Sequence, residues 1–538
     1  MTVSARIAEA LAPAVRCAFG VVGSGNFHLT NALIANGVRF VAARHEGGAA
    51  VMADAYARTS GELGVVTLHQ GPGVTNALTG VAEAAKSRTP MVVLAADTGA
   101  AGARSNFRLD QAALAAGIGA AYERVATPAS AVEDVLRAVR RARIERRTVL
   151  VSLPLDVQSA EAPDSVLRAE PLPPVPMPNP ESVRALADLL EAAHRPVFIA
   201  GRGARRPGAA EAIARLAERC GALLATSAVA KGLFNGSPWY LDVSGGFASP
   251  AAAERIAGAD AVVAWGCALN MWTTRHGRLI GPGARVAQVD VDADALHTGL
   301  GVLGDAAATA GAVLADLTAR GPARTGYRAE PLPSVRWRDV PFDDTTGGGR
   351  IDPRTLSIGL DDLLPAERTV SVDSGNFMGY PSMYLSVPDA PGFGFTQAFQ
   401  SIGLGLATAI GAAVARPDRL PVAALGDGGF LMGIAELETV VRLGLPMVIV
   451  VYNDAAYGAE VHHFGPGGHP LDTVRFPDTD LAAIARGFGC EGVTVRAPAD
   501  LTAARAWLTG PRDRPLLIDA KVTADRGAWW LEEAFRGH

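Results

Sequence analysis

Residues 421 to 457 read PVAALGDGGFLMGIAELETVVRLGLPMVIVVYNDAAY, and they carry the strongest structural signal in the chain. The short apolar run from Val422 to Leu425 predicts a buried strand that stops at the turn 426–429, Gly-Asp-Gly-Gly. Apolar residues at helical spacing from Ile434 to Leu443 predict a helix. The β-branched run from Pro446 to Val451 predicts a second buried strand, so the stretch is typical of a parallel strand-helix-strand unit.

Polar residues stand at the ends of both predicted strands. Asp427 follows the first strand and Asn453 ends the second. Because neighbouring parallel strands deliver their carboxyl ends to the same edge of a sheet, the two side chains can meet there. With the backbone carbonyl of Ala455 they would form half of an octahedral oxygen shell for Mg²⁺, which takes its other ligands from phosphates and water. The alternative is an ordinary turn in which Asp427 caps the helix.

Gly-Asp-Gly, a helix, a buried strand and an asparagine at this spacing resemble the signature of thiamin diphosphate-dependent enzymes. They match the branch that contains acetolactate synthases and benzoylformate decarboxylases. The resemblance implies an α/β fold of three doubly wound parallel-sheet domains, with a pyrimidine-binding domain first, a central domain, and a diphosphate-binding domain last. It also implies thiamin diphosphate and Mg²⁺ as cofactors, with Asp427, Asn453 and Ala455 as the metal ligands.

Composition describes a compact soluble protein long enough for three domains: 538 residues, 49% of them hydrophobic and 19% charged. Lys and Arg number 49 against 54 Asp and Glu, so no basic excess favours nucleic acid or an anionic membrane. The four cysteines are scattered and form no CxxC pair, which argues against disulfides and zinc. Without a secretory signal or a bilayer-length apolar segment, we expect a cytoplasmic protein.

The first part of the chain carries a second unit of the same kind. A predicted strand at Val38 to Ala43 leads into a helix that begins at Glu46, and a strand at Val65 to Leu68 leads through Gly71-Pro72-Gly73 into another helix. At one fixed offset, Gly71-Pro72-Gly73 falls on Asp427-Gly428-Gly429 and the next strands also align. We therefore expect two similar α/β domains with different roles, and chance similarity is the alternative.

Proline-rich stretches mark the expected domain boundaries. Residues 163–180 are typical of a stiff linker, and a second boundary falls within residues 331–350. The expected domains are residues 1–165, 181–335 and 350–538.

The middle domain departs from the flavin-containing relatives. Where flavin-containing acetolactate synthases have Arg-Phe-Asp, residues 266–272 read Gly-Cys-Ala-Leu-Asn-Met-Trp, so we do not expect FAD. Gly201-Arg202-Gly203 after a predicted strand is a weak nucleotide signal, and a structural turn is the favoured interpretation.

The resemblance assigns catalytic roles to three residues of the first domain. Glu46 would hydrogen-bond a pyrimidine nitrogen of the cofactor and so promote proton removal from the thiazolium carbon, a general-base role that suits a carboxyl group. Capping of its own helix is the alternative. His69 matches a histidine beside the thiazolium in benzoylformate decarboxylases, and Phe107-Arg108 stands where acetolactate synthases have Phe-Gln near the substrate.

The resemblance also marks the residues expected to bind the cofactor. Ile402 matches the bulky residue that holds the cofactor bent, although core packing would also explain it, and Gln400 matches a position that acts through its backbone carbonyl. The candidate set is Gly71, Pro72, Asn76, Ser374, Asn376, Gln400, Ile402, Gly426, Asp427, Gly428, Gly429, Asn453, Ala455, Tyr457 and Gly458. His462 and His463 could line the substrate side or belong to a solvated loop, and residues 529–533 could form a lid.

The activity implied by the resemblance is decarboxylation of a 2-oxo acid, carboligation to an aldehyde or second 2-oxo acid, or both, as in acetolactate synthase. Decarboxylation alone is one alternative, and a catalytically silent assembly subunit is another. Since Glu46 and Asp427 belong to different domains, we expect the middle domain to separate them within a chain. The resemblance implies an obligate homodimer, or a dimer of such dimers, with shared sites. The small-residue helices at 49–57 and 403–415 suit that interface or each domain's own core.

Overall fold

The structure is a computed structural model, and it describes residues 1–99, 102, 104–163, 171–524 and 527–531. The described residues form three six-stranded sheets flanked by helices, and all named strand pairs are parallel, which confirms the predicted fold class. Part of the expected linker, residues 164–170, and two residues of the expected lid, Glu532 and Glu533, lie outside the described residues. Within these ranges the structure contains no helix with the length and apolar character needed to cross a membrane.

The first sheet has the strand order β2-β1-β3-β4-β6-β5. Its strands are β1 (Cys17–Gly20), β2 (Arg39–Ala42), β3 (Gly64–Leu68), β4 (Met91–Asp97), β5 (Ala121–Arg124) and β6 (Thr148–Pro154). The helices of this domain are α1 (Val3–Leu11), α2 (Phe27–Ala35), α3 (Glu46–Ser60), α4 (Pro72–Lys86), α5 (Gln111–Gly117), α6 (Ala131–Glu145) and α7 (Leu155–Ser159).

The middle sheet has the strand order β12-β11-β10-β7-β8-β9. Its strands are β7 (Pro196–Ala200), β8 (Leu223–Thr226), β9 (Tyr240–Val243), β10 (Ala261–Trp265), β11 (Arg285–Asp290) and β12 (Leu300–Leu303). The helices are α8 (Pro180–Glu191), α9 (Ala209–Cys220), α10 (Pro250–Ala257), α11 (Met271–Thr274) and α12 (Ala306–Arg320).

The last sheet has the strand order β14-β13-β15-β16-β18-β17. Its strands are β13 (Arg368–Val372), β14 (Phe393–Phe395), β15 (Leu420–Gly426), β16 (Val448–Asn453), β17 (Glu491–Val495) and β18 (Leu516–Lys521). The helices are α13 (Pro353–Leu363), α14 (Gly379–Tyr384), α15 (Gly405–Ala415), α16 (Asp427–Met432), α17 (Glu436–Arg442), α18 (Gly458–Phe464), α19 (Leu481–Phe488) and α20 (Thr502–Thr509).

The first and last sheets have the same topology. When β1 to β6 are matched in order to β13 to β18, the two strand orders become identical. The middle sheet does not follow this order. The strand order supports the repeat that was inferred from the sequence, whereas the expected domain boundaries stay a prediction.

Two helix starts differ from the sequence-based expectation. The Gly-Asp-Gly-Gly segment is the first turn of α16 rather than an open turn, and the expected helix from Ile434 is the shorter α17. Gly433 caps the end of α16, and glycine is required there because a Cβ would lie 2.9 Å from the carbonyl oxygen of Gly403. Likewise, α4 begins at Pro72 rather than Thr75, since proline is pre-organised for the first helical position.

Helices α3 and α15 pack directly against each other within one chain, which corrects the expectation that the middle domain separates the first and last domains. Both helices consist largely of small residues and are buried along most of their length. A Cβ at Gly411 of α15 would clash with the carbonyl oxygen of Met52 of α3, so the backbones approach closely. The two domains share one hydrophobic core, and these helices form an intrachain contact rather than each domain's own core.

Candidate active site

A cavity of about 450 Å³ opens at the carboxyl ends of β13, β15 and β16. This is the edge of a parallel sheet at which ligands bind in α/β proteins. Most of the last-domain residues predicted to bind a cofactor line it: Ser374, Asn376, Gln400, Ile402, Gly426, Asp427, Gly428, Gly429, Tyr457 and Gly458. Asp454 and Ala456, which the prediction omitted, line it as well.

Asp427 and Asp454 place two carboxyl groups together in this cavity. Gly426 pairs with Tyr452 in the register of β15 and β16, so the residues that follow the two strands become neighbours. Burial raises the pKa of both carboxyl groups, and the Asp454 charge raises the pKa of Asp427 further. The described residues contain no cluster of three or more His, Cys, Asp or Glu side chains suited to a metal, so this pair is the candidate donor set.

The structure places Asn453 and Ala455 outside this donor set, which differs from the prediction. Asn453 Nδ2 donates to Asp519 Oδ1 at 2.8 Å, and its Oδ1 accepts the backbone N–H of Ala455 at 3.1 Å. The carbonyl oxygen of Ala455 accepts the backbone N–H of Phe476 at 2.8 Å. Successive side chains point to opposite sides of a strand. The side chain of Asn453 therefore points toward Asp519 of β18, and that of Asp454 points toward Asp427. We therefore exchange Asn453 for Asp454 and Ala455 for Ala456 in the candidate ligand set.

Asp373 fixes the two turns that form the floor of the cavity. Its fully buried carboxylate accepts backbone N–H groups from Ser374 at 2.8 Å, Gly403 at 2.9 Å and Leu404 at 3.2 Å. Burial raises its pKa to about 6, although these hydrogen bonds act in the opposite direction. A Cβ at Gly429 would clash with this carboxylate, so glycine is required where α16 passes it.

Gln400 and Ile402 enter the cavity from the loop that precedes α15. Gln400 has a φ of 60°, a left-handed conformation that is uncommon for a residue other than glycine. On the opposite side, the hydroxyl of Ser374 hydrogen-bonds Gln397 Oε1 at 3.1 Å. A left-handed backbone like that of Gln400 persists only where the surrounding structure holds it, and such residues are common at functional sites.

The first-domain candidates form a group of their own. Asn76 Nδ2 donates to Glu46 Oε2 at 3.1 Å, and the ring of His69 packs 5.2 Å from that of Phe107. Gly71 has a φ of 68° and lies against Phe107, at the start of the helix that begins with Pro72. His69 Nδ1 is buried and has no hydrogen-bond partner among the described residues.

The two groups of candidates do not meet in the chain. The first-domain candidates are Glu46, His69, Gly71, Pro72, Asn76 and Arg108. None of them is among the described residues that line the 450 Å³ cavity. Arg108 is exposed beside Phe107. One chain therefore presents two separate half-sites, although the domains that carry them share a core.

Exposed apolar side chains stand close to residues of both half-sites in the chain: Val22 and Phe27 lie on either side of Gly23 and Gly25, which approach His69. Val22 and Phe27 on the first domain are 41% and 50% exposed, and Leu431 and Met432 on the last domain are 42% and 57% exposed. Met432 also lines the 450 Å³ cavity.

A second cavity of about 650 Å³ lies where all three domains meet and adjoins the 450 Å³ cavity. Trp272, Met378, Gln397 and Gln400 line both cavities. Trp272 lies at the end of the 266–272 segment, the segment that differs from the flavin-binding pattern, and it packs against the core of the last domain.

The C-terminal segment and α18 close the outer side of the first cavity. Leu531 and Glu460 line it, while Trp530 is buried against Tyr380 at a ring separation of 5.0 Å. His462 and His463 lie in the last turn of α18 and are not among its lining residues within the described chain.

The sequence interpretation missed Asp454 and the positioning carboxylate of Asp373. Asp454 was visible beside Asn453, but only the direction in which each side chain leaves β16 separates the two residues. Asp373 stood at a predicted strand end, yet its contact with residues 403 and 404 is long-range and leaves no local sequence pattern.

Three family models match successive parts of the chain. The thiamine pyrophosphate enzyme N-terminal TPP binding domain matches residues 1–115, the central domain matches residues 183–314, and the C-terminal TPP binding domain matches residues 373–520.

Known proteins with different chemistries are similar over nearly the whole chain. A sulfoacetaldehyde acetyltransferase of Alcaligenes xylosoxydans xylosoxydans is 31% identical, over 89% of this chain and 85% of that protein. A probable 2-ketoarginine decarboxylase of Pseudomonas aeruginosa is 32% identical, over 90% and 87%. A solved structure of a Rhodococcus jostii thiamine diphosphate-dependent 4-hydroxybenzoylformate decarboxylase has the same fold, with a TM-score of 0.82, 22% identity, and coverage of 97% and 99%.

Proposed function

Because the chain belongs to the thiamin diphosphate-dependent enzyme family, we propose that it uses thiamin diphosphate and Mg²⁺ to act on a 2-oxo acid by decarboxylation, carboligation or both. When bound, the cofactor supplies the electron sink for cleavage beside a carbonyl group. The work left to the chain is to bind and orient the cofactor, to exclude water and to move protons.

The observation that carries the proposal is the carboxyl pair of Asp427 and Asp454 in the 450 Å³ cavity. Two neighbouring buried carboxylates are costly unless a cation compensates them. Mg²⁺ prefers such oxygen ligands and completes its shell with phosphate oxygens and water. The proposed metal ligands are Asp427, Asp454 and the backbone carbonyl of Ala456, and the glycines of α16 allow a diphosphate to approach the backbone.

The remaining lining residues suit the other parts of the cofactor. Ser374 and Asn376 offer polar groups beside the metal end, and Tyr457 and Gly458 close that end. Ile402 is the proposed support for the bent cofactor, and the strained backbone of Gln400 offers the proposed carbonyl acceptor.

Glu46 is the proposed partner of the pyrimidine ring, but it would serve a second subunit. The two half-sites of one chain are separate, so a two-fold dimer that pairs unlike halves would complete two identical sites. The exposed Val22, Phe27, Leu431 and Met432 beside the half-sites support burial in such an interface. A homodimer is therefore the proposed minimal unit, and a dimer of dimers is compatible with it.

A second candidate is decarboxylation without carboligation. His69 supports it, because a half-buried imidazole near Glu46, with Nδ1 unpaired among the described residues, could deliver a proton to a product carbon. The two relatives named above carry out an acyl transfer and a decarboxylation according to their names, so they support both candidates.

Mass spectrometry of products from a panel of 2-oxo acids, with and without acceptor aldehydes, tests the proposal. We expect consumption of at least one 2-oxo acid that requires thiamin diphosphate and Mg²⁺ and is lost in Asp427→Ala. An aldehyde product alone would select the decarboxylase, and a joined product would select the carboligase. Cofactor binding without turnover of any 2-oxo acid in the panel would favour the silent assembly subunit and contradict the proposed activity.

A further inference from the structure

Glu436 joins the last domain to the segment that carries Glu46. It is the first residue of α17 and is 3% exposed. Its Oε1 accepts the backbone N–H groups of Arg44 at 3.1 Å and His45 at 3.0 Å, and its Oε2 accepts the hydroxyl of Thr439 at 2.7 Å. Arg44 and His45 immediately precede Glu46, the first residue of α3. A buried carboxylate of one domain thus holds the turn that sets the position of Glu46 in another.

The contact between the domains is close at this point. A Cβ at Gly48 would clash with Glu436 Oε1, so α3 can approach the carboxylate only because residue 48 is glycine. Burial raises the pKa of Glu436, while the backbone hydrogen bonds from Arg44 and His45 oppose that change. Donation from backbone N–H groups at a helix start suits a carboxylate, since that end of a helix carries partial positive charge.

Glu83 makes the reciprocal contact from the first domain. It is fully buried in α4, and it accepts the backbone N–H groups of Ala398 at 3.2 Å and Phe399 at 2.7 Å. That turn leads into Gln400, which lines the 450 Å³ cavity. Each copy of the internal repeat therefore uses a helix carboxylate to hold the cofactor-site turn of the other copy.

We propose that Glu436 is a positioning residue for the Glu46 of its own chain. This inference rests on the proposed function, in which Glu46 serves the partner's cofactor while Asp427 serves the cofactor of its own chain. Glu436 begins the helix that follows α16, the helix of Asp427, and its carboxylate bonds the backbone next to Glu46. It thereby places the Glu46 carboxyl group for its contact with the pyrimidine ring.

Glu436→Gln tests the assignment because its amide removes the charge and replaces one acceptor with a donor that faces backbone N–H groups. In the full-length dimer with thiamin diphosphate and Mg²⁺, we expect exchange of the thiazolium proton to slow by roughly 10- to 100-fold, as for a reacting group misplaced by about 1 Å. Cofactor affinity, measured by calorimetry, should stay unchanged. The control is Glu367→Gln in the same domain, whose exposed carboxylate pairs with Arg419 and whose exchange rate should equal that of the wild type.

Mixed dimers show which half-site Glu436 serves. In a dimer of one Glu436→Gln chain and one Asp427→Ala chain, the single competent site combines the first chain's Asp427 with the second chain's Glu46, whose own Glu436 is intact. We expect that site to exchange protons at the wild-type rate. Slow exchange there would mean that Glu436 acts on its own chain's diphosphate half, and it would overturn the proposal.

The remaining outcomes are also decisive. A wild-type exchange rate in the folded Glu436→Gln homodimer overturns the proposal. If that variant does not form a folded dimer, Glu436→Asp replaces it, because it keeps the charge but withdraws the oxygens from the turn, and a wild-type rate there has the same meaning. Failure of the wild-type chain to bind the cofactor or exchange its proton would instead refute the proposed function.

Discussion

The carboxyl groups of Asp427 and Asp454 destabilise the folded chain when no cofactor or metal is bound. Burial raises both pKa values above the ordinary aspartate value of 3.8, and the neighbouring Asp454 charge raises the pKa of Asp427 further. Between that value and the raised values the folded chain binds more protons than the unfolded chain. Its stability therefore falls as pH rises through this window, and a bound dication would restore it.

Replacement of Asp454 by Asn should stabilise the cofactor-free chain and weaken Mg²⁺-dependent cofactor binding. By calorimetry, we expect Asp454→Asn to raise the unfolding temperature by roughly 2–4 °C near pH 8 and by less near pH 5, where the wild-type pair is largely protonated. The exposed Asp513→Asn provides the control and should follow the wild type. Parallel pH dependences for the wild type and Asp454→Asn would contradict a repelling pair.

The Glu46→Gln variant should show whether Glu46 acts in proton transfer or only caps its helix. We expect cofactor binding to persist while exchange of the thiazolium proton, measured by quenched-flow proton NMR, slows by about 10²–10⁴-fold. The control is Glu133→Gln, since Glu133 is also an acidic residue in the first turn of its helix, α6. If both variants lose stability alike and exchange is unchanged, Glu46 is only a cap.

Sequence patterns located the last-domain site to within one residue. They could not show in which direction each side chain points. Asp427 was predicted because a short apolar strand, a glycine turn and a helix surround it. Asp454 was missed in favour of Asn453 because a shift of one residue reverses the direction of a side chain on a strand. The roles of Asp373 and Glu436 depend on partners distant in sequence, so no local pattern reveals them.

The packed helices α3 and α15 position both half-sites. Their small residues allow the backbones to approach, and the segments that begin them carry Glu46 and Ile402. The sequence identified both as closely packing helices, but it could not identify their partner, because small residues all around a helix permit many packing arrangements.

A single methyl group should disturb this contact. Gly411→Ala places a Cβ against the carbonyl oxygen of Met52, so we expect a loss of about 1–3 kcal/mol in the free energy of unfolding. Gly311→Ala is the matched control in α12, where a Cβ would meet nothing within 4 Å. There we expect a gain of about 0.5–1 kcal/mol, since alanine favours helices over glycine. Denaturant unfolding measures both, and equal effects would contradict the close packing.

The whole molecule combines an internal repeat with a middle domain of different strand order. The repeat and the three-domain order were predictable, because strand and turn signals align at one offset and prolines mark the connections. Direct contact between the first and last domains was not predictable, because sequence order places the middle domain between them. The two domains therefore pack together in one chain while their half-sites stay apart, and that separation is the basis for proposing shared sites.

In the proposed dimer, each site combines the first domain of one subunit with the last domain of the other. Glu46→Gln and Asp427→Ala should each be inactive as homodimers. After the two chains are mixed and subunit exchange is verified by mass spectrometry, heterodimers should regain one working site of two, and with it about half of the wild-type activity per dimer. Verified exchange without any recovered activity would place the whole site within one chain and refute the shared sites.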